Sequence, residues 1–264
     1  MNSFSPCSVL KKRAREQLFM NLGTVIGAFL VHMLCVLPIS FIVSSTDISS
    51  VKGIVIYVVL TVLVDLYSTV FIVGEKLIYL KFACHQEAGV LDVFFAFRGL
   101  ILKTAGVELI PALISNILFA PVILMNDTLL QVMPTEEEML KLLSENNYVE
   151  FYKLSNSLMP MMMTFLGLFV AYYIVLLIVK MLFSQTHFIM LDYQDMSVGQ
   201  IIKYNFKIMK GSYGRYLYMM LSFIPWYLCS FLTCGLSYIW THPYIYSTYT
   251  NFYLDLVTKR KQGE

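Results

Sequence analysis

GIVIYVVLTVLVDLYSTVFIV, residues 53–73, is the stretch on which the reading of this chain turns. Its only charged side chain is Asp65. At 1.5 Å per residue a helix over these residues is about 31 Å long, the thickness of a bilayer's hydrocarbon layer. Working outward, five further apolar runs of similar size occur at 22–43, 106–125, 158–183, 216–233 and 235–252. The last two meet at Thr233-Cys234-Gly235, which reads as a tight hairpin. Six such runs predict an all-α membrane protein: one membrane domain over 1–264, with six transmembrane helices.

Composition supports that class and removes others. Hydrophobic residues are 58% and charged residues 14% of the 264, against about 45–50% and 25% in soluble domains. Mean hydropathy is +0.69. A formal net charge of +2 is too small for a nucleic-acid binder, and the apolar content is too high for disorder. The five cysteines contain no CxxC pair and supply no disulfide framework.

Charge placement sets the orientation. Lys11, Lys12, Arg13 and Arg15 precede the first run. Lys76, Lys81, Arg98 and Lys103 follow the second, Lys180, Lys203, Lys207, Lys210 and Arg215 follow or end the fourth, and Lys259, Arg260 and Lys261 close the chain. Only Lys52, Lys141 and Lys153 fall on the other side, together with Asp47, Asp127, Glu136, Glu137, Glu138, Glu145 and Glu150. The expectation is a multi-pass plasma-membrane protein with both termini cytoplasmic and an acidic outer segment at 126–157. The first run is longer than a signal-peptide core and reads as a permanent anchor.

The cytoplasmic segments are amphipathic. Ser197-Val198-Gly199-Gln200 is a capping box, and the helix that it starts, 197–210, sets Lys203, Lys207 and Lys210 on one face and Val198, Ile201, Ile202, Phe206, Ile208 and Met209 on the other. Such a helix is expected in the membrane interface, its lysines toward anionic headgroups. Asn205 falls within its apolar arc, where a bond to a neighbouring span is expected. Residues 1–21, with Leu10, Ala14 and Leu18 beside the basic cluster, and 89–99, with Asp92 and Arg98 among phenylalanines, are shorter versions. Tyr238, Trp240, Tyr244 and Tyr246 are expected in an outer aromatic belt and Tyr253 at the inner interface.

From residue 188 onward the chain carries Phe188-Ile189-Met190-Leu191-Asp192, Gly211-Ser212-Tyr213, Phe223-Ile224-Pro225-Trp226, Thr233-Cys234-Gly235-Leu236 and His242-Pro243-Tyr244. With the Lys11-Lys12-Arg13-Ala14-Arg15 opening and Asp92-x-x-x-Ala96-Phe97, it resembles the bacterial membrane family catalogued as "domain of unknown function 975". The resemblance implies six spans in a bacterial plasma membrane and supplies no catalytic residue.

Asp65 is the sharpest polar anomaly, since a bare carboxylate costs about 2.5–3.5 kcal/mol or more at a span's centre. Thr61, Ser68 and Thr69 share its face at helical spacing, which is therefore expected to point into the bundle. His32 lies about 3 Å from it in depth by residue count, so an Asp65–His32 pair is expected. Glu108, just inside the third run, is expected to reach the cytoplasmic edge. His32, His85, His187 and His242 lack metal-ligand spacing, and no HExxH, GxSxG or phosphate loop occurs. No catalytic residue, metal or cofactor is expected. The expected role is non-enzymatic, organising or assisting something in the membrane, with lipids and another membrane protein or a second copy as partners. The alternative is a small permease using the Asp65/His32 region. A tag between residues 126 and 157 should react with impermeant reagent added to intact cells; protection until the bilayer is breached would reverse the orientation.

Overall fold

A computed structural model describes residues 4–46, 48, 50–144 and 148–261; Asp47 and Glu145 of the acidic side lie outside them. The described residues form ten α-helices and one 3-10 helix, with no strand. In chain order they are α1 (Cys7–Ser44), α2 (Val51–Ala83), the 3-10 helix Val90–Arg98, α3 (Ile101–Val132), α4 (Glu136–Ser144), α5 (Tyr148–Leu182), α6 (Thr186–Asp192), α7 (Val198–Met209), α8 (Tyr213–Leu221), α9 (Ile224–Leu232) and α10 (Tyr238–Lys261). Four helical stretches are long and apolar enough to cross a membrane: Cys7–Ser44, Lys52–Ala83, Ile101–Val132 and Tyr148–Asp192.

Helix α2 is the hub, packing against α1, α3, α6, α10 and the 3-10 helix. The 3-10 helix approaches it closely at Gly74, where an added Cβ would stand 2.0 Å from the Val93 carbonyl oxygen. Asp92 pins the start of the 3-10 helix by accepting from Lys81 at 2.8 Å and from the Gly89 N–H at 3.1 Å. Partial burial pushes the Asp92 carboxyl up, but these bonds with the Lys81 and Arg98 charges hold it below the usual carboxylate range.

Helix α1 runs through the expected start of the first span at residue 22, with one kink inside it. Asn21 leaves helical geometry (φ −129°, ψ 18°), and its side chain donates to the Gln17 carbonyl at 2.9 Å. The segment before it buries Leu10, Ala14 and Leu18 within the protein, not against lipid.

The same correction applies to α7. Its capping box forms, the Ser197 N–H donating to Gln200 Oε1 at 2.8 Å, and Lys203, Lys207 and Lys210 are exposed. Part of its apolar face, however, is covered by α3, α6 and α10, which bury Ile201, Ile208 and Met209, while Phe206 stays exposed. Asn205 is fully buried. It donates to the Leu182 carbonyl at 2.6 Å and accepts the Gln185 N–H at 3.1 Å, satisfying backbone groups at the end of α5. Periodicity marks the apolar face, and at Ile201, Ile208 and Met209 its neighbour is protein.

The C-terminal runs differ most from expectation. Residues 216–233 form no single helix: α8 and α9, nine residues each, are separated at Ser222-Phe223, and Pro225 in the first turn of α9 lacks the N–H that an unbroken helix needs. The expected hairpin is present, with Cys234 and Gly235 at φ 50° and 88°. Beyond it α10 is a buried, polar-lined helix holding Thr241, Ser247, Thr248, Thr250 and Asn251 inside the protein. Tyr253 is buried too, donating to Asp192 Oδ2 at 2.5 Å, so it is not an interface residue. Of the expected belt, Trp240 is exposed while Tyr238 and Tyr246 pack on His242.

The largest core cluster joins Leu10 of α1, the end of α2, α6, α7, α8 and the C-terminal half of α10. It sits at the end of the molecule that carries the basic segments. By contrast, 6% of the most apolar window of Tyr148–Asp192 is buried. Gly74→Ala should disrupt the α2 crossing by about 1–3 kcal/mol or more, because the atom in the way is backbone and cannot rotate aside; thermal unfolding in detergent would register it as a lower midpoint than for Gly23→Ala, where the new methyl meets nothing.

Candidate functional site

By composition the second apolar run ends at residue 73, but α2 continues unbroken to Ala83. That extension places Glu75 and Lys76 inside the protein, 1% and 9% exposed. Adjacent residues on a helix point roughly 100° apart, so the two charges face different neighbours.

Glu75 faces α1 and α10. His32 Nδ1 lies 2.8 Å from Glu75 Oε1, and His32 Nε2 lies 3.1 Å from the Ser68 hydroxyl. With Glu75 ionised and the ring neutral, Nδ1 donates to the carboxylate and Nε2 accepts from Ser68. His242 Nε2 stands 3.6 Å from Glu75 Oε2. Aromatic rings wall this half: Phe71 stacks parallel to His32, with centroids 5.6 Å apart, and Phe29 and Tyr246 lie 4.4 and 4.3 Å from the His242 ring. Glu75 Oε2, Tyr79 Oη and His242 Nδ1 are buried and make no hydrogen bond among the described residues.

Lys76 faces α6 and α3. Its ammonium donates to His187 Nδ1 at 2.9 Å and lies 5.1 Å from the Phe188 ring centroid. His187 Nε2 stands 3.3 Å from Glu108 Oε2. Glu108 therefore turns toward this cluster and does not simply reach the aqueous edge. Two carboxylates, one ammonium and three imidazoles from five helices converge at one level of the molecule. With neutral rings the set carries one excess negative charge; one added proton balances it.

The expected Asp65–His32 pair is not made. Asp65 accepts instead from Asn116 Nδ2 of α3 at 2.8 Å, and it is exposed. The shared polar face divides: Ser68 turns to His32, Thr69 donates to the Asp65 carbonyl at 2.8 Å, and Thr61 bonds the Tyr57 and Val58 carbonyls of its own turn. His32 takes Glu75, the carboxylate closer to it, as its partner. A signal for this exists in the sequence: Glu75-Lys76 is bracketed by Val73, Leu77, Ile78 and Leu80, an apolar rhythm that an aqueous loop does not show.

A second buried ion pair braces the end of α10, where Asp255 accepts from Arg215 at 2.5 Å and from the Ser5 N–H at 3.3 Å. Among the described residues no group of three or more His, Cys, Asp or Glu side chains is arranged to hold a metal ion.

Compared with known proteins, the chain belongs to the family described as "Protein of unknown function (DUF975)", which matches residues 5–261. No curated protein and no solved structure matches it.

Glu75→Ala should cost about 3–5 kcal/mol, since it takes the buried acceptor from His32 and removes one of the two carboxylates near Lys76. Glu75→Gln, whose amide oxygen still accepts from His32, should cost clearly less. Unfolding midpoints of the two variants in one detergent would show the order; equal losses would mean that the carboxylate's charge, and neither its volume nor its acceptor oxygen, matters there.

Proposed function

We propose that this chain is a non-enzymatic integral protein of the plasma membrane that organises lipid or assists another membrane protein. The observation that supports it most is the distribution of packing. The dense core lies at the basic end, where α6, α7, α8 and the end of α10 close over α2, while the apolar helices leave long lateral surfaces open, α5 above all. A packed plate at one membrane face with loosely gathered spans suits a protein whose partners lie beside it in the bilayer.

In this reading the chain crosses six times, with α8 and α9 as one broken crossing. Residues 213–232, the two nine-residue helices and the two residues between them, span about 30 Å and α10, with 24 residues, about 36 Å, enough for a hydrocarbon layer near 30 Å. Both termini and the basic segments face the cytoplasm. Lys203, Lys207 and Lys210 are exposed along α7 and meet anionic headgroups, while the opposite face of α7 is held by the protein core.

Each lysine near an anionic surface contributes about 1 kcal/mol of attraction. Replacing all three by glutamine should reduce enrichment of phosphatidylglycerol over phosphatidylcholine around the protein in mixed nanodiscs by at least several-fold, with the fold unchanged. Unaltered enrichment would remove the lipid-contact assignment.

A further inference from the structure

Asp65, the one charged side chain of the run 53–73, makes no ion pair among the described residues. Its neighbours on α2 resolve their polarity internally, through the His32–Glu75 and Lys76–His187–Glu108 contacts. Asp65 has one oxygen bonded to Asn116 and stays exposed at the seam of α2 and α3. The charges within electrostatic reach are Glu108, of the same sign and already facing His187, and Lys180, an exposed residue of the last turn of α5. On α3 beside Asn116 the surface is apolar and open, with Leu113 and Ile117 at 40% and 64% exposure.

We propose that the α2/α3 seam at Asp65 docks a transmembrane segment of another protein through a basic side chain, arginine or lysine, carried near the middle of that segment. This names the partner class for the accessory role above and rests on that reading. In hydrocarbon an exposed carboxylate and an unpaired ammonium or guanidinium are each costly, and pairing them relieves both. Asn116 orients the acid: by donating to Oδ2 it leaves Oδ1 available to the incoming cation, and the apolar surface of α3 receives the rest of the segment. A second copy of this chain is a poorer fit, because its apolar runs carry no basic residue before the last turn of α5.

The test uses the full-length chain in lipid nanodiscs and synthetic leucine-alanine transmembrane peptides with arginine, leucine or glutamate at the centre, with association read by fluorescence energy transfer. The arginine peptide should associate at least ten-fold more strongly than the leucine peptide. Asp65→Asn should abolish that preference, Asp65→Glu should keep it, and Asp65→Lys should transfer it to the glutamate peptide. Equal association of all peptides, a preference that survives Asp65→Asn, or Asp65-dependent self-association in its place would overturn the proposal. Charge reversal in Asp65→Lys keeps the result interpretable if Asp65→Asn folds poorly. Failure here with phosphatidylglycerol enrichment intact removes only the cationic partner; loss of enrichment dependence on the α7 lysines with peptide docking intact removes only the lipid contact.

Discussion

A carboxylate and an ammonium stand next to each other on α2, both withdrawn from water, and neither is tolerable there alone. Glu75 and Lys76 point to different sides of their helix, so each needs its own set of neighbours. His32 and His242 come from α1 and α10 to one side; His187 and Glu108 come from α6 and α3 to the other. Five helices are thereby required at one level. The arrangement defines which elements surround α2 more sharply than apolar contact can, because a greasy surface accepts many registers and a buried charge accepts few.

Packing follows from that requirement. The 3-10 helix crosses α2 one residue before the charged pair, where Gly74 presents no side chain, and α6 lies buried beside it. Away from this level the long helices touch less, and their outward faces remain apolar. The molecule is thus closely packed where its charges are enclosed and laterally open elsewhere, which is the physical basis for reading it as a partner to things in the bilayer plane.

Much of the fold is legible in the order of residues alone. The apolar runs, the capping box of α7 and the turn at Thr233-Cys234-Gly235 all depend on local chemistry: run length, hydroxyl-amide spacing, and residues that interrupt a helix. The candidate site is half legible. His32 and Asp65 stand out because a polar residue inside an apolar run is visible in one dimension. Glu75, Lys76 and His187 do not, because their residue types also suit the aqueous loop that follows a span, and the cover that excludes water arrives from α6 and α10, more than a hundred residues later in the chain.

What the sequence by itself determined is the material: long apolar helices, basic segments between them, and amphipathic faces with the correct residues on each side. What only the tertiary structure decided is who meets those faces. The apolar side of α7 meets protein, α10 is a core helix, His32 pairs with Glu75, and Asp65 is left to Asn116. Periodicity reports that a surface avoids water. It does not report whether lipid or another helix replaces the water, since both are equally apolar; that choice rests on long-range packing around the buried pair on α2.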